Sequence, residues 1–278
     1  MSKQAHITLV NGAETSALDI ADRGLAYGDG LFETMRIISG RVPLLSLHLA
    51  RFTEGVRKLQ FGHEKKLVTT FKAAVKDALK NLSGEALLKI IVTRGSGGRG
   101  YTPAEDSTCN IIVQVFDLPQ YPLEYTQSGV TVKECEHRLY HNPVFAGIKH
   151  LNRLDQVLAS KELDEEAEGL LFDQNELLVE GLKSNILVFQ KDRIVTPKLD
   201  SCGVKGTLRQ FLMQSSPSLG LDIVEADITR QDIDYSQGLA MINSIYGIWP
   251  VKSISGNAVP YDERCDQIRS YLQKQLGF

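Results

Sequence analysis

The sequence predicts a mixed α/β protein of two domains, because extended and helical patterns alternate along it and one irregular stretch divides it. Residues 31–38 alternate between two sides as a strand does, whereas the segment from Ser46 to Leu59 carries apolar side chains at helical spacing. Residues 118–129 contain two prolines and show no periodicity. We therefore expect an N-terminal domain over residues 1–117, a linker over residues 118–129 and a C-terminal domain over residues 130–278.

Composition and charge exclude several classes of protein. The 278 residues are 42% hydrophobic, which is enough for a buried core, and a net charge of -3 gives no electrostatic reason to expect a nucleic-acid or membrane partner. No apolar run approaches the roughly 20 residues that cross a bilayer, and the N-terminus lacks a signal-peptide pattern. The four cysteines stand far apart without a C-x-x-C pair, so we expect free thiols and no metal site. The expectation is a soluble cytoplasmic protein.

The strand over residues 31–38 and the helix that follows it place charged side chains where they could line a site. Alternation puts Glu33 and Arg36 on opposite sides of the strand, so either one, if it points inward, is a candidate pocket wall. The helix places His48 and Arg51 three residues apart and so on one side. They are either a solvated polar pair, or Arg51 reaches inward to an anion that its guanidinium binds through paired hydrogen bonds.

A glycine-rich segment over residues 94–101 follows a β-branched strand over residues 87–93 and contains a literal G-x-G-x-x-G. That motif binds a dinucleotide only if a helix opens at the glycines. Another strand, over residues 110–116, follows instead, so we reject the dinucleotide interpretation and expect a β-hairpin with a long tip. Arg94 and Arg99 on this tip are either solvated or clamp a carboxylate at a pocket mouth.

The C-terminal half is predicted to be rich in strands. A helix is expected from His150 to about Ala167, and a second from Leu208 to Gln214. Thr229 is the expected cap of a short helix. The expected strands cover residues 130–135, 170–173, 177–180, 185–189, 193–197, 221–225 and 238–243, and a last helix covers residues 261–275.

Lys149 ends an apolar run and stands at the start of the helix expected from His150. Burial and the positive end of a helix would both lower its pKa and so make the amine reactive. The alternative is a lysine that extends from a strand end to solvent.

Two further features need an explanation. Glu180 ends an apolar strand, where a carboxylate is either exposed or paired with a positive group. The glycines of residues 203–206 precede a helix and form either an anion seat or a simple tight turn. Together with Lys149 and Arg51, these features supply what pyridoxal 5'-phosphate (PLP) needs, and no metal is required.

The chain resembles the fold-type IV PLP enzymes from about Asn11 to Pro250. The motifs that carry the resemblance are Asp22-Arg-Gly24, Gly28-Asp-Gly-Leu-Phe-Glu33, His48-Leu-Ala-Arg51, Ile148-Lys-His-Leu-Asn152, Glu180-Gly181, Ser184-Asn185 and Gly203-Val-Lys-Gly206. The family includes branched-chain and D-amino acid aminotransferases and 4-amino-4-deoxychorismate lyases. The segments Arg94–Tyr101 and Asn142–Leu154 resemble the lyases in particular.

The resemblance implies a role for each cofactor-binding residue. Lys149 would carry PLP as a Schiff base, and Glu180 would pair with the pyridine nitrogen. Arg51 would hold the phosphate, together with the backbone of Val204 and Lys205 and the hydroxyl of Ser244. The positions of Asn185 and Arg138 lie close to the cofactor in relatives.

The resemblance also implies the activity and the architecture. Aminodeoxychorismate would be converted to 4-aminobenzoate and pyruvate, a step toward folate, with the substrate carboxylates bound by cations from the unranked set Arg94, Arg99, Arg153 and Arg36. The alternatives are an aminotransferase on the same scaffold and a non-catalytic PLP-binding or scaffolding protein. A smaller α+β domain and a larger domain with a mixed sheet curled into a barrel-like form would hold the cofactor between them. Relatives are homodimers whose partner subunit helps to close the site.

Overall fold

The protein is described by a computed structural model over residues 5–80, 82, 84–98, 100–104 and 107–278. The chain forms two units. The first unit contains Met1–Pro119 and Ile148–Asn152, and the second contains Gln120–Gly147 and Arg153–Phe278. The short segment that carries Lys149 therefore folds with the N-terminal unit, although peptide bonds join it to the second unit at both ends.

The first unit is an antiparallel sheet covered on one face by two helices. Its strand order is β2-β1-β5-β4-β3. The elements are β1 (Ile7–Val10), β2 (Ala13–Glu14), α1 (Arg23–Tyr27), β3 (Gly30–Ile37), α2 (Leu45–Lys58), α3 (Glu64–Leu79), β4 (Ala86–Thr93) and β5 (Asn110–Phe116). The predicted hairpin around residues 94–101 is confirmed, because β4 and β5 pair antiparallel.

Alternation along β3 and β4 gives this sheet one buried and one half-buried face. Met35 and Leu88 are fully buried in the core, where the rings of Phe52 and Phe71 pack 4.6 Å apart. The next residues along each strand, such as Phe32 and Lys89, are half-buried on the other face. Because side chains alternate with period two, Glu33 shares the buried face.

The second unit is built on a larger mixed sheet, whose strand order is β11-β10-β9-β12-β13-β6-β7-β8 with β14 paired to β13. Three neighbouring pairs run parallel and the rest antiparallel. The elements are α4 (Leu123–Gln127), β6 (Val130–Leu139), α5 (Leu154–Ser160), β7 (Glu168–Asp173), β8 (Leu178–Gly181), β9 (Asn185–Phe189), β10 (Ile194–Pro197), α6 (Thr207–Leu219), β11 (Ile223–Ala226), α7 (Arg230–Asp234), β12 (Gly238–Asn243), β13 (Gly247–Ile254), β14 (Asn257–Ala258) and α8 (Arg264–Leu276). The predicted fold class is confirmed: a smaller α+β unit and a larger unit with a curled mixed sheet.

The helix expected from His150 to about Ala167 is wrong at both ends, because α5 covers only Leu154–Ser160. Lys149 accepts a hydrogen bond from the Phe32 amide at 2.9 Å through its carbonyl, and the Leu151 amide donates to the Gly30 carbonyl at 3.0 Å. His150 forms a β-bridge with Leu31. The main chain of this segment is therefore extended along β3, and α5 begins only at Leu154. The apolar residues that indicated a helix belong to two different elements.

The predicted linker also has to be corrected, because it contains α4 and packs on the second unit. The rings of Tyr121 and Tyr125 lie 4.7 and 5.1 Å from the ring of Trp249, which is 1% exposed, and the ring of Tyr246 stacks on the same indole at 3.6 Å. Two prolines suppressed the helical signal, but aromatic burial fixes the segment in place.

Among the described residues, every helix is too short or too polar to span a bilayer.

We expect Phe71→Ala to destabilise the first unit by about 3–5 kcal/mol, because a fully buried ring in a packed core leaves a cavity when it is removed. Urea unfolding followed by circular dichroism measures this loss. Ile20→Ala, which truncates a side chain that is 86% exposed, is the control and should leave the unfolding midpoint almost unchanged. Equal losses in the two variants would contradict the core packing described above.

Candidate active site

Glu33 is the centre of a buried charged cluster in the first unit. It points from β3 toward α2, where His48 and Arg51 lie on the same side of the helix. Arg51 Nε donates to Glu33 Oε1 at 2.8 Å and Nη2 to Oε2 at 2.5 Å. His48 Nδ1 lies 2.6 Å from Oε2, and both Glu33 and His48 are 1% exposed. Arg51 therefore points inward, as one of the two interpretations of the sequence expected, and the anion that it binds in this structure is the Glu33 carboxylate of the same unit.

The cluster fixes the protonation of its members. Burial raises the pKa of Glu33, but the charge and hydrogen bonds of Arg51, followed by those of His48, outweigh burial and bring the pKa to about 2. Burial lowers the pKa of His48, against the hydrogen bond and charge of Glu33, and the charges of Arg51 and Lys149 lower it further. Since the ionised carboxylate only accepts hydrogen bonds, the hydrogen of the neutral imidazole must be on Nδ1.

Lys149 lies beside this cluster in the same unit. Its main chain is paired with β3, and its Nζ lies 4.4 Å from the centroid of the Phe32 ring. A charged ammonium over the face of an aromatic ring is stabilised by the ring quadrupole. The segment thus presents the lysine side chain from an extended backbone, and the predicted helix N-terminus next to it is absent.

Lys89 is a second lysine on the same ring, and the sequence interpretation missed it. Its Nζ lies 5.7 Å from the Phe32 centroid, and burial lowers its pKa. Within the part of the chain that the structure describes, no carboxylate is paired with Lys89. The signal was present in the sequence, because Lys89 is the one charged residue in the apolar strand of residues 87–93.

Two of the four arginines predicted to bind substrate carboxylates, Arg94 and Arg36, are paired with carboxylates of the first unit. Arg94 donates to Asp29 at 2.7 Å and to the carbonyls of Leu59 and Gln60. Arg36 donates to Glu85 at 3.1 Å. Arg153 is the N-cap residue of α5, in the second unit. Arg99 lies outside the described residues.

The aspartate-rich loop before β3 is held by its own side chains. Asp22 accepts hydrogen bonds from the Gly24 amide at 2.8 Å and from the Thr93 hydroxyl at 2.6 Å, and so caps α1. The Nε atoms of Arg23 and Arg94 both donate a hydrogen bond to Asp29 Oδ2. These contacts join the loop to the end of β4, so the first role of its acidic residues is structural.

Glu180 is a buried carboxylate of the second unit, as its position at a strand end suggested. It is 4% exposed. Its Oε2 accepts from the Val204 amide at 2.7 Å, and its Oε1 lies 3.4 Å from Gln156 Nε2. Asn185 donates from Nδ2 to the Val204 carbonyl at 2.9 Å. Glu180 and Asn185 therefore hold the loop before α6, because one binds the amide and the other the carbonyl of Val204.

These contacts correct the anion seat predicted at Val204 and Lys205. The Val204 amide is bound to Glu180, and the Lys205 amide donates to the Gly147 carbonyl at 3.1 Å. The helix begins at Thr207 after the N-cap Gly206, which gives no side-chain cap. The first amides of a helix have no partner within the helix and carry its positive dipole end. The amides suited to an anion are thus those of the first turn of α6.

Gly206 also shows why this turn excludes other residues. A Cβ at this position would lie 1.9 Å from Asn185 Oδ1, a distance at which the amide must move. The close approach to Asn185 explains the glycine at this N-cap position. Of the two glycines in the motif, only Gly206 adjoins the helix.

Arg138 and Ser244 complete the predicted set. Arg138 donates to both oxygens of Glu176, at 2.8 and 3.0 Å, and to the carbonyls of Cys135 and Glu136. These bonds occupy its guanidinium, so its contacts support a structural role and not the predicted one at the cofactor. Ser244 lies half-buried in the turn between β12 and β13.

Comparisons with known proteins agree on one family. The model of the family described as Amino-transferase class IV matches residues 30–254. The aminodeoxychorismate lyase of Vibrio harveyi is 31% identical over 270 residues, which cover 96% of this chain and 98% of the relative. The D-alanine aminotransferase of Bacillus licheniformis is 26% identical over 87% of this chain and 85% of the relative. The crystal structure of 4-amino-4-deoxychorismate lyase from Pseudomonas aeruginosa superimposes with a TM-score of 0.91 at 36% identity and covers 98% of this chain and 100% of its own.

We expect Glu33→Gln to lose about 3–5 kcal/mol of unfolding free energy at neutral pH, because Arg51 stays buried without its carboxylate. The folded-state pKa of Glu33, about 2, lies below its ordinary value of 4.5. The unfolded state therefore binds more protons between these values, and the stabilisation by Glu33, complete above pH 4.5, is lost as the pH falls toward 2. Urea unfolding across this range should show the wild type approaching the variant.

The control is Glu64→Gln, which removes an exposed carboxylate paired with Arg57. Its effect should be much smaller, since exposed ion pairs contribute little. A gap between wild type and Glu33→Gln that stays constant from neutral to acidic pH would contradict the assigned pKa.

Proposed function

Because the chain belongs to the amino-transferase class IV family, we propose that it is a PLP-dependent lyase that converts 4-amino-4-deoxychorismate to 4-aminobenzoate and pyruvate. The observation that carries the proposal is the likeness to proteins of that activity over almost the whole length of both chains, at 31% and 36% identity. The aminotransferase relative is less similar, at 26%.

The described residues fit PLP. Glu180 is buried and oriented by the Val204 amide, as an acid partner of a pyridine nitrogen should be. The first turn of α6 would supply amides for a phosphate, and Gly206, where a Cβ would lie 1.9 Å from Asn185 Oδ1, lets Asn185 lie against the start of this helix. Glu33 orients the guanidinium of Arg51, which we propose as the side-chain cation of the phosphate. Lys149 would carry the cofactor, with Asn185 and Ser244 as further contacts.

Each protein group then has a defined task in the reaction. When bound, PLP supplies an electron-withdrawing ring that accepts the electron pair of the breaking C4–H bond of the substrate. Glu180 would keep a proton on the ring nitrogen. The Nζ of Lys149 takes the C4 proton, the C3–O bond breaks, and the substrate ring becomes aromatic. Lys149 returns the proton to the departing enolpyruvate, which becomes pyruvate.

We also propose Lys89 as the cation of one substrate carboxylate. It shares the Phe32 ring with Lys149, so a substrate whose C4 proton is taken by Lys149 would lie close to Lys89. A half-buried ammonium without a carboxylate partner is costly, and a substrate anion would offset that cost. Lys89 therefore replaces Arg94 and Arg36 among the predicted candidates, because those two are bound to Asp29 and Glu85.

Two further properties belong to the proposal. A homodimer is supported by the exposed apolar side chains of α5, where Leu154 is 74%, Val157 48% and Leu158 49% exposed. A cytoplasmic location is supported by four cysteines that are all free thiols.

The test is to compare Lys149→Ala with the wild type in two measurements. We expect the variant to lose the visible absorbance band of lysine-bound PLP and to form 4-aminobenzoate and pyruvate at least ~1000-fold more slowly, since it lacks both the attachment point and the base. Lys161→Ala changes an exposed lysine after α5 and should behave as the wild type.

Incubation with D-alanine or branched-chain amino acids plus 2-oxoglutarate separates the lyase from an aminotransferase on the same scaffold. Rapid formation of glutamate without release of pyruvate from aminodeoxychorismate would overturn the lyase assignment. An unchanged cellular function after Lys149→Ala would instead favour a non-catalytic scaffold.

We expect Lys89→Gln to lower kcat/KM for aminodeoxychorismate by roughly 10- to 100-fold, the effect of one charged hydrogen bond of about 1.5–3 kcal/mol. The loss should be mainly in KM, while the PLP absorbance band stays as in the wild type. Lys89→Arg keeps the charge and should retain most of the activity. Unchanged steady-state kinetics in Lys89→Gln would remove this lysine from the substrate site.

A further inference from the structure

Three metal-ligating side chains of the second unit meet at a place that the proposed reaction does not use. His141 follows β6, Asp173 ends β7, and Cys202 lies in the loop between β10 and α6. Their ligand atoms all lie within 4.8 Å of one another. His141 Nε2 is 2.7 Å from Asp173 Oδ2. No motif indicated this cluster, because His141 and Asp173 are 32 residues apart and cysteine spacing alone gave no pair.

Hydrogen bonds from the surrounding main chain position the cluster. Asp173 Oδ1 accepts the amides of Asn175 and Leu177 at 2.8 and 2.9 Å, so the turn after β7 orients the carboxylate and its Oδ2 faces His141. The Asn142 amide donates to the Ser201 carbonyl at 2.7 Å and joins the residues next to His141 and Cys202. Such outer bonds are what position the ligands of a metal site.

Charge and access also suit a cation. The groups that act on the Cys202 thiol by their charge are the carboxylates of Asp173, Glu180, Asp155 and Asp200. Asp173 is 7% exposed at its side chain, whereas His141 is 25% exposed and Cys202 is half-buried. An ion can therefore enter from solvent and reach a carboxylate that is largely withdrawn from water.

We propose that His141, Asp173 and Cys202 bind one Zn2+ ion, with a water molecule as the fourth ligand. One thiolate, one imidazole and one carboxylate are a borderline-soft donor set, which favours Zn2+ over the hard ions Mg2+ and Ca2+. Binding forms the Zn–S bond, breaks the S–H bond and releases that proton to water, while the imidazole hydrogen of His141 moves from Nε2 to Nδ1 so that Nε2 can bind the ion.

The ion would tie together three parts of the unit. It would join the chain after β6 and the end of β7 to the loop that contains Val204, whose amide is bound to Glu180. Zinc would thus restrain the loop that leads into α6. The proposal stands independently of the lyase assignment.

The experiment is a titration of the tag-free holoenzyme, first freed of metal by a chelator, with Zn2+ in a calorimeter. We expect one Zn2+ per chain. Cys202→Ser and His141→Gln should each weaken binding by more than ~10-fold, since loss of a direct ligand costs at least as much as loss of an outer bond. His137→Gln is the matched control, because His137 lies 2.8 Å from Asp155 in a pair without a thiol, and it should bind as the wild type does.

X-ray absorption at the zinc edge identifies the ligands. The wild type should show one sulfur neighbour among nitrogen and oxygen, and Cys202→Ser should lose the sulfur. Circular dichroism and the PLP absorbance band establish that each variant is folded. The absence of saturable Zn2+ binding, equal affinity in wild type and both ligand variants, or a site without sulfur would each overturn the proposal.

Discussion

The pairing of the Lys149 segment with β3 is the interaction on which the candidate site depends. Two main-chain hydrogen bonds, from Phe32 to the Lys149 carbonyl and from Leu151 to Gly30, fix the segment as an extended chain. A strand alternates its side chains, so the main chain decides on which side the amine stands. In a helix, by contrast, the side-chain direction turns around the axis from each residue to the next. The sheet therefore holds the Lys149 segment with less freedom than a helix end, which frays, would leave it.

Buried charge in both units is compensated by oriented partners. Glu33 has two cationic or polar side chains on its two oxygens, and Glu180 has a main-chain amide and an amide side chain. Removing a carboxylate from water costs several kcal/mol unless such partners are present. The difference between the two is functional in the proposed mechanism. Glu33 is bound by Arg51 through two hydrogen bonds and serves to orient it, whereas Glu180, oriented by the Val204 amide, would pair with the cofactor ring.

Sequence patterns predicted the elements that depend on local chemistry. The alternation of residues 31–38 predicted β3, the apolar spacing after Ser46 predicted α2, and Thr229 does cap its helix through a capping box. The errors occurred where distant residues decide. Residues 149–151 are extended because β3 binds them, and the amides of Val204 and Lys205 are occupied because Glu180 and Gly147 lie opposite. The partners of Arg94, Arg36 and Arg138 are carboxylates whose proximity no periodicity reveals. Lys89 and the cluster around Cys202 could be found only after strands and loops were placed side by side.

The aromatic packing around α4 gives the two units different optical signals. The chain has a single tryptophan, Trp249, and it is buried among Tyr121, Tyr125 and Tyr246 in the second unit. Indole emission is sensitive to exposure to water, so fluorescence excited at the red edge of the protein band reports on the larger unit alone. The smaller unit has no indole among its residues and is silent in the same experiment. The natural sequence thus carries a built-in label that distinguishes the melting of one half of the molecule from that of the other.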